Sequence, residues 1–137
     1  MTSRLNPYLT FDGNAREAME FYQSVFGGEL VVNNVGDFGD ADPALADKVM
    51  HAQLETEAGY TLMGSDTMPG MPYQQGTAMT ISLSGDADSP LREYWDKLAD
   101  GGTISMPLEK QMWGDEFGMV IDRFGITWLV NIAGATE

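Results

Sequence analysis

The chain has no cysteine among its 137 residues. That excludes disulfides, thiolate metal ligands and a thiol nucleophile. Basic residues are scarce too: 7 Lys and Arg stand against 21 Asp and Glu, a formal net charge of -14. A surface that negative repels phosphate backbones and anionic lipid, so neither nucleic acid nor a membrane surface is an expected partner. No apolar run approaches the roughly 20 residues that span a bilayer. Met1 to Pro7 lacks the apolar stretch of a secretory signal, and a cytoplasmic protein is expected. No glycine-rich turn opens a helix as a phosphate cradle does; Gly27-Gly28 and Gly101-Gly102 follow helical segments instead. The acidic stretch with Asp37, Asp40, Asp42 and Asp47 lacks the spacing and closing Glu of a calcium loop and reads as a solvated or lid loop.

What is present suffices for a core. Hydrophobic residues make up 43% of the chain, and the length fits one domain. The 10 methionines fill irregular gaps in a core or line a pliable apolar cavity.

Periodicity gives the elements. Leu5 to Phe11 alternates as a strand does, and Asn14 is placed to cap a helix over Ala15 to Phe26, with apolar residues at Ala18, Phe21, Tyr22, Val25 and Phe26. Glu29 to Val35, Val49 to Thr56 and Tyr60 to Ser65 read as strands, with Gly36 to Leu45 a loop and Glu57-Ala58-Gly59 a hairpin turn. Asp66 reads as a cap or turn residue at the start of a linker. The order then recurs: a strand over Thr77 to Ser84, a helix over Leu91 to Ala99, a short strand at Thr103 to Ser105, a loop over Met106 to Gln111, and a hairpin of Met112 to Asp122 with Ile126 to Ile132.

The recurrence is visible in the residues. Asn6 to Gly13 lies on Ala78 to Gly85 with a shift of 72, matching Leu9 with Ile81 and Phe11 with Leu83. Phe21-Tyr22 followed by Gly27-Gly28 echoes Tyr94-Trp95 followed by Gly101-Gly102. Gly59 to Met63 lies on Gly125 to Leu129 with a shift of 66. Three matches in one order indicate a duplication.

On these residues the chain resembles the vicinal oxygen chelate superfamily, the glyoxalase/bleomycin-resistance proteins. Asn6-Pro7-Tyr8-Leu9-x-Phe11-Asp12-Gly13, Phe26-Gly27-Gly28, Trp113-Gly114-Asp115-x-Phe117-Gly118 and Asp122-x-Phe124-Gly125-x-Thr127-Trp128 make it similar to the PhnB-like branch, which often carries a demethylubiquinone-methyltransferase-like label. The resemblance implies an α+β fold of tandem βαβββ modules forming a half-barrel. It implies one domain over 1–137, with modules 1–66 and 77–137 joined by a 67–76 linker. It also implies a homodimer.

Metal-dependent members of this superfamily hold a divalent ion with His, Glu or Gln on the first and fourth strands of each module. The corresponding positions here are Asn6, Ala78, Met63 and Leu129. Ala and Leu offer no ligand atom, and a thioether suits soft rather than hard ions. The resemblance therefore implies the fold without the usual metal site, and no cofactor is expected.

Strand alternation proposes what lines the open face instead. Leu9 and Phe11 should pack on the helix, which turns Asn6, Tyr8 and Thr10 the other way. Met50, Ala52 and Leu54 form an apolar face, and His51, Gln53 and Glu55 the opposite one. The second module adds Thr80, Ser82, Phe117, Met119, Ile121 and Leu129. Trp113 stands where it stacks on a planar ligand or packs in a core or interface; Trp128 should pack on a helix. Two readings follow. In one, the protein binds or sequesters a planar or cationic small molecule through Tyr8, Gln53, Thr80, Trp113, Phe117 and Met119. In the other it is a lyase, isomerase or dioxygenase-type enzyme with a relocated or cofactor-free site, in which His51 and Glu55 transfer protons. A solvated sheet face or dimer surface accounts for His51 and Glu55 equally well.

Overall fold

The computed structural model describes residues 3, 5–38, 45–67, 72–76 and 78–134. The chain divides into two compact units, Met1–Gln74 and Gln75–Glu137. The first unit runs β1 (Tyr8–Phe11), α1 (Ala15–Phe26), β2 (Glu29–Asn34), a short 3-10 turn (Val35–Phe38), β3 (Val49–Glu55) and β4 (Thr61–Asp66). Its sheet has the order β1-β4-β3-β2, with β1 parallel to β4 and the other pairs antiparallel. The second unit runs β5 (Ile81–Gly85), α2 (Leu91–Ala99), β6 (Thr103–Lys110), β7 (Glu116–Ile121) and β8 (Thr127–Ile132). Its sheet repeats the scheme as β5-β8-β7-β6.

Each helix covers one face of its own sheet. Helix α1 buries Ala15, Ala18, Met19, Tyr22, Val25 and Phe26 against a sheet face that buries Phe11, Ala52, Leu54 and Leu62. Helix α2 buries Leu91, Tyr94, Trp95 and Leu98 over Leu83, Val120, Trp128, Val130 and Ile132. Burial alternates along the strands as the two-residue period of a one-sided sheet requires.

The duplication reaches individual hydrogen bonds. In the β3–β4 turn the Thr56 N–H donates to Tyr60 O (3.0 Å) and Gly59 N–H to Thr56 O (3.0 Å). In the β7–β8 turn the Asp122 N–H donates to Ile126 O (2.9 Å) and Gly125 N–H to Asp122 O (2.9 Å). Gly59 (φ 90°) and Gly125 (φ 86°) hold the left-handed position in each. Thr56 Oγ1 accepts from the Tyr60 N–H where Asp122 Oδ1 accepts from the Ile126 N–H.

Five expectations need correction. The first-strand shift is 74, not 72: Phe11 O accepts from the Thr67 N–H as Gly85 O accepts from the Ala133 N–H, so Leu9 corresponds to Leu83. Similar apolar spacing at Ile81 and Leu83 makes a two-residue slip invisible in the pattern. Strand β6 continues through Pro107 to Lys110, because it is an edge strand, where a proline's missing N–H costs no ladder bond. Residues 112–115 belong to a turn, closed by Gln111 N–H to Asp115 O at 2.7 Å, so Trp113 does not begin β7. Met50 is 42% exposed and Val49 takes the buried place, because a bulge pairs Asn33 with His51 but Asn34 with Val49. Asp66 is the last residue of β4 and is 5% exposed; its carboxylate accepts from the N–H groups of Ala15 and Val49, both at 2.9 Å. The expectation that fails here is Asn14, which makes no side-chain cap; Asp66 caps α1 instead, in keeping with its reading as a cap residue at the end of β4. Asp40, Asp42 and residues 68–71 of the linker lie outside the described residues.

Candidate functional site

The sheet face away from α1 is the chemically rich side of the first unit. Register places Tyr8 beside Met63, Met63 beside Gln53, and Gln53 beside Val31 in one row across four strands. The next row carries Thr10 beside Ser65, and His51 beside Asn33. Tyr8 leans along the face toward His51: the ring centroids are 5.7 Å apart at 35°, and Tyr8 Oη lies 3.3 Å from His51 Nδ1. On its other side His51 Nε2 lies 3.4 Å from Gln53 Oε1. Tyr8 is 49% exposed, whereas His51 and Gln53 are half-buried. The single histidine is thus held between a phenol and an amide, both reachable from solvent.

Glu55 shares this face but does not join the cluster. Four residues of strand separate it from His51, about 13 Å at the usual rise. Adjacent side chains on one face are two residues apart, and Gln53 takes that place. Glu55 instead lines a separate cleft of about 460 Å³ with Asn6, Thr56, Tyr60 and Thr61. Gln53, rather than Glu55, is the neighbour of His51 along this face. Sequence reasoning had Tyr8 on the right face but missed its contact with His51, which follows from the parallel β1–β4 pairing.

The equivalent face of the second unit has diverged. The row corresponding to Tyr8, Met63, Gln53 and Val31 reads Ser82, Leu129, Met119 and Met106. Phe117 takes the place of His51, flanked by Asn131 and Glu109. Trp113 is 60% exposed and meets the Phe117 ring edge-to-face at 6.1 Å. Asp115 anchors this turn by accepting from Asn131 Nδ2 (3.0 Å) and the Gly134 N–H (2.8 Å). These two hydrogen bonds, the Asn131 one first, hold its carboxyl below the usual range against a smaller opposing effect of burial. The second unit thus offers an aromatic and thioether surface where the first offers polar groups. Thr80 is exposed and precedes β5. Trp128 is buried, and its indole N–H donates to Asp122 Oδ2 at 2.8 Å.

The corrected register also revises one metal-ligand position. Thr80, not Ala78, corresponds to Asn6, giving Asn6 and Met63 in the first unit and Thr80 and Leu129 in the second. A neutral amide, a thioether, a hydroxyl and a hydrocarbon are not a donor set for a hard divalent ion. Among the described residues no three His, Asp or Glu side chains are grouped so that they could hold a metal ion. The residues present do not fit the superfamily's metal.

Two four-stranded mixed sheets, each with a parallel first-to-fourth strand pair and one covering helix, define the α+β glyoxalase/bleomycin-resistance fold. A solved glyoxylase/bleomycin resistance protein/dioxygenase domain from Frankia sp. shares it over 100% of this chain and 96% of its own, at TM-score 0.67 and 14% identity. Within that fold the chain belongs to the family described as 3-demethylubiquinone-9 3-methyltransferase, which matches residues 3–131. Protein YjdN of Escherichia coli is 31% identical over 143 aligned residues, covering 93% of this chain and 94% of its own. The structure of protein PA1353 from Pseudomonas aeruginosa is 37% identical over 98% of this chain and 100% of that one, with a TM-score of 0.86. The PhnB protein from Bacillus cereus, labelled a 3-demethylubiquinone-9 3-methyltransferase of uncertain standing, is 26% identical over 96% and 100%, at TM-score 0.76. Among the described residues no helix is long and apolar enough to cross a membrane.

Proposed function

We propose that the protein binds a small planar or cationic organic molecule on its open sheet faces without the superfamily's metal ion. The observation that carries this reading is the Tyr8–His51–Gln53 cluster, which places three polar side chains side by side on the face opposite α1. The second unit supports it with Trp113, Phe117 and Met119, a surface suited to flat apolar groups. The net charge of -14 favours a cation over an anion. Methyl transfer, which the family's description names, finds less support. The sheets of the described residues are short and mostly antiparallel, without the parallel-strand crevice that holds nucleotide cofactors.

A homodimer in the cytoplasm is part of this reading. The test is a thermal-shift screen of planar and cationic compounds, run with and without chelator, beside metal analysis of the purified protein. Stabilisation by such compounds, unchanged by chelator and weakened by Tyr8→Phe or Phe117→Ala, is the expected result. Stoichiometric bound metal, or no stabilisation by any compound of either type, overturns it.

A further inference from the structure

We propose that Tyr8 and His51 form a proton relay, with Tyr8 Oη as the atom that takes a proton from a bound molecule. The inference rests on the small-molecule reading above and names the ligand chemistry: a compound with an acidic C–H, such as one beside a carbonyl, or an acidic enol or phenol O–H.

In the orientation that the Gln53 amide takes, Oε1 faces His51 Nε2 at 3.4 Å; an amide oxygen only accepts, so this contact is made when Nε2 carries the proton. A neutral imidazole with Nε2 protonated carries its lone pair on Nδ1. The Tyr8 hydroxyl, 3.3 Å from Nδ1, is then the donor. The chain of bonds has one direction, from phenol to imidazole to amide. Its exposed end is the tyrosine, since His51 is half-buried between its partners.

That direction sets the chemistry. As the ligand's proton passes to Tyr8 Oη, the tyrosine's own proton passes to His51 Nδ1. The ligand keeps the electron pair of its broken C–H or O–H bond, and His51 becomes an imidazolium. Both imidazolium N–H groups then have acceptors, Tyr8 Oη and Gln53 Oε1. Reversal returns the proton. Tyr8 is the catalytic residue; His51 acts through it, and Gln53 is a positioning residue that selects the tautomer. The other ionisable residues of these strands on this face, Glu29 and Glu55, stand opposite each other in register at the far end of the β2–β3 ladder. The second unit has no counterpart, since Ser82, Phe117 and Met119 replace Tyr8, His51 and Gln53.

Two measurements on the intact protein test this. Long-range nitrogen–proton NMR on labelled histidine should show neutral His51 protonated at Nε2. Gln53→Leu should shift the population toward Nδ1–H, and Gln53→Glu, which keeps an acceptor, should restore Nε2–H. An Nδ1–H tautomer in the native chain overturns the relay. The second probe is 5-nitrobenzisoxazole, a planar C–H acid. Loss of its ring C–H proton drives N–O cleavage to a coloured cyanophenolate without any co-reactant. Acceleration that falls at least tenfold in both Tyr8→Phe and His51→Ala supports the relay. Acceleration that survives Tyr8→Phe but not His51→Ala overturns it, making His51 a direct base, as does no acceleration at all. Ligand stabilisation in the thermal screen is independent of these results, so the relay can fail while the binding reading stands.

Discussion

Asp66 Oδ1 accepts the backbone N–H of Ala15 at 2.9 Å across a separation of 51 residues. The same carboxylate's Oδ2 accepts the Val49 N–H where the bulged β3 begins. One buried side chain therefore fixes the start of α1, the start of β3 and the end of β4, the three elements beneath the Tyr8–His51 face. Replacing it by Ala leaves two buried N–H groups without acceptors. Loss of a cap costs about 1 kcal/mol, and a buried unsatisfied donor about 1–3 kcal/mol. Asp66→Ala should lower unfolding stability by about 2–4 kcal/mol in urea denaturation, and Asp66→Asn, which keeps one acceptor, by roughly half as much. An unchanged midpoint for Asp66→Ala contradicts this role.

Asp122 plays a related part in the second unit. Its Oδ1 accepts from the Phe124 and Ile126 N–H groups, and its Oδ2 from the Trp128 indole. Thr56, at the same place in the first unit, accepts one such bond through its hydroxyl. The repeat thus supplies its own control. Asp122→Ala should cost about 2–4 kcal/mol, as the buried indole N–H and two part-buried backbone N–H groups lose their acceptor. Asp122→Thr should recover part of that by rebuilding the turn bond without the indole contact. Equal losses for the two substitutions would show that the turn bond contributes nothing.

The duplication, both helices and the family were legible in the sequence, because apolar period and glycine stops are local signals. Asp66 reads as a cap or turn residue, but its partners were not legible, since N–H groups 51 and 17 residues away leave no local pattern. The shift of the β1–β5 repeat was misread for a similar reason. Ile81 and Leu83 fit the apolar slot equally well, and only the parallel pairing with β8 decides between them. Of the candidate site, alternation put His51 and Gln53 on one face, but neither the bulge that exposes Met50 nor the lean of Tyr8 toward His51 is encoded in spacing.

Hydrogen bonds from Asn131 and the Gly134 N–H hold the Asp115 carboxyl below its ordinary range. A depressed folded value means that its contribution to stability is present above the unfolded carboxylate range, near 3.9, and is lost as pH falls through the folded value. Asn131→Ala removes the larger cause. Carboxylate carbon NMR should then show the Asp115 midpoint rising toward the ordinary range, and the acid unfolding limb should begin at higher pH. Because the side chain is solvated, the shift in the limb should be small while the NMR midpoint moves clearly. A midpoint that stays put in Asn131→Ala assigns the depression to the Gly134 N–H instead.

Gly118 of β7 lies against the Trp95 ring of α2. A Cβ built there meets Trp95 Cη2 at 2.7 Å and the Leu108 backbone at 2.8 and 2.9 Å. Its backbone does not need positive φ, so the demand for glycine is steric rather than conformational. The Trp95 ring can tilt only by disturbing α2, and the Leu108 backbone belongs to β6, so neither neighbour yields cheaply. Gly118→Ala should cost about 1–3 kcal/mol, the range for overpacking a tight core, and Trp95 fluorescence should report the displacement. Gly114→Ala separates the two causes: that site has no atom within 4 Å of a new Cβ but holds φ at 100°. Its loss should come from backbone strain alone, about 1 kcal/mol, with little change in the environment of Trp95. If Gly118→Ala matches the stability and fluorescence of the native chain, then β6 moves away freely, and the α2–β7 contact is looser than the geometry indicates.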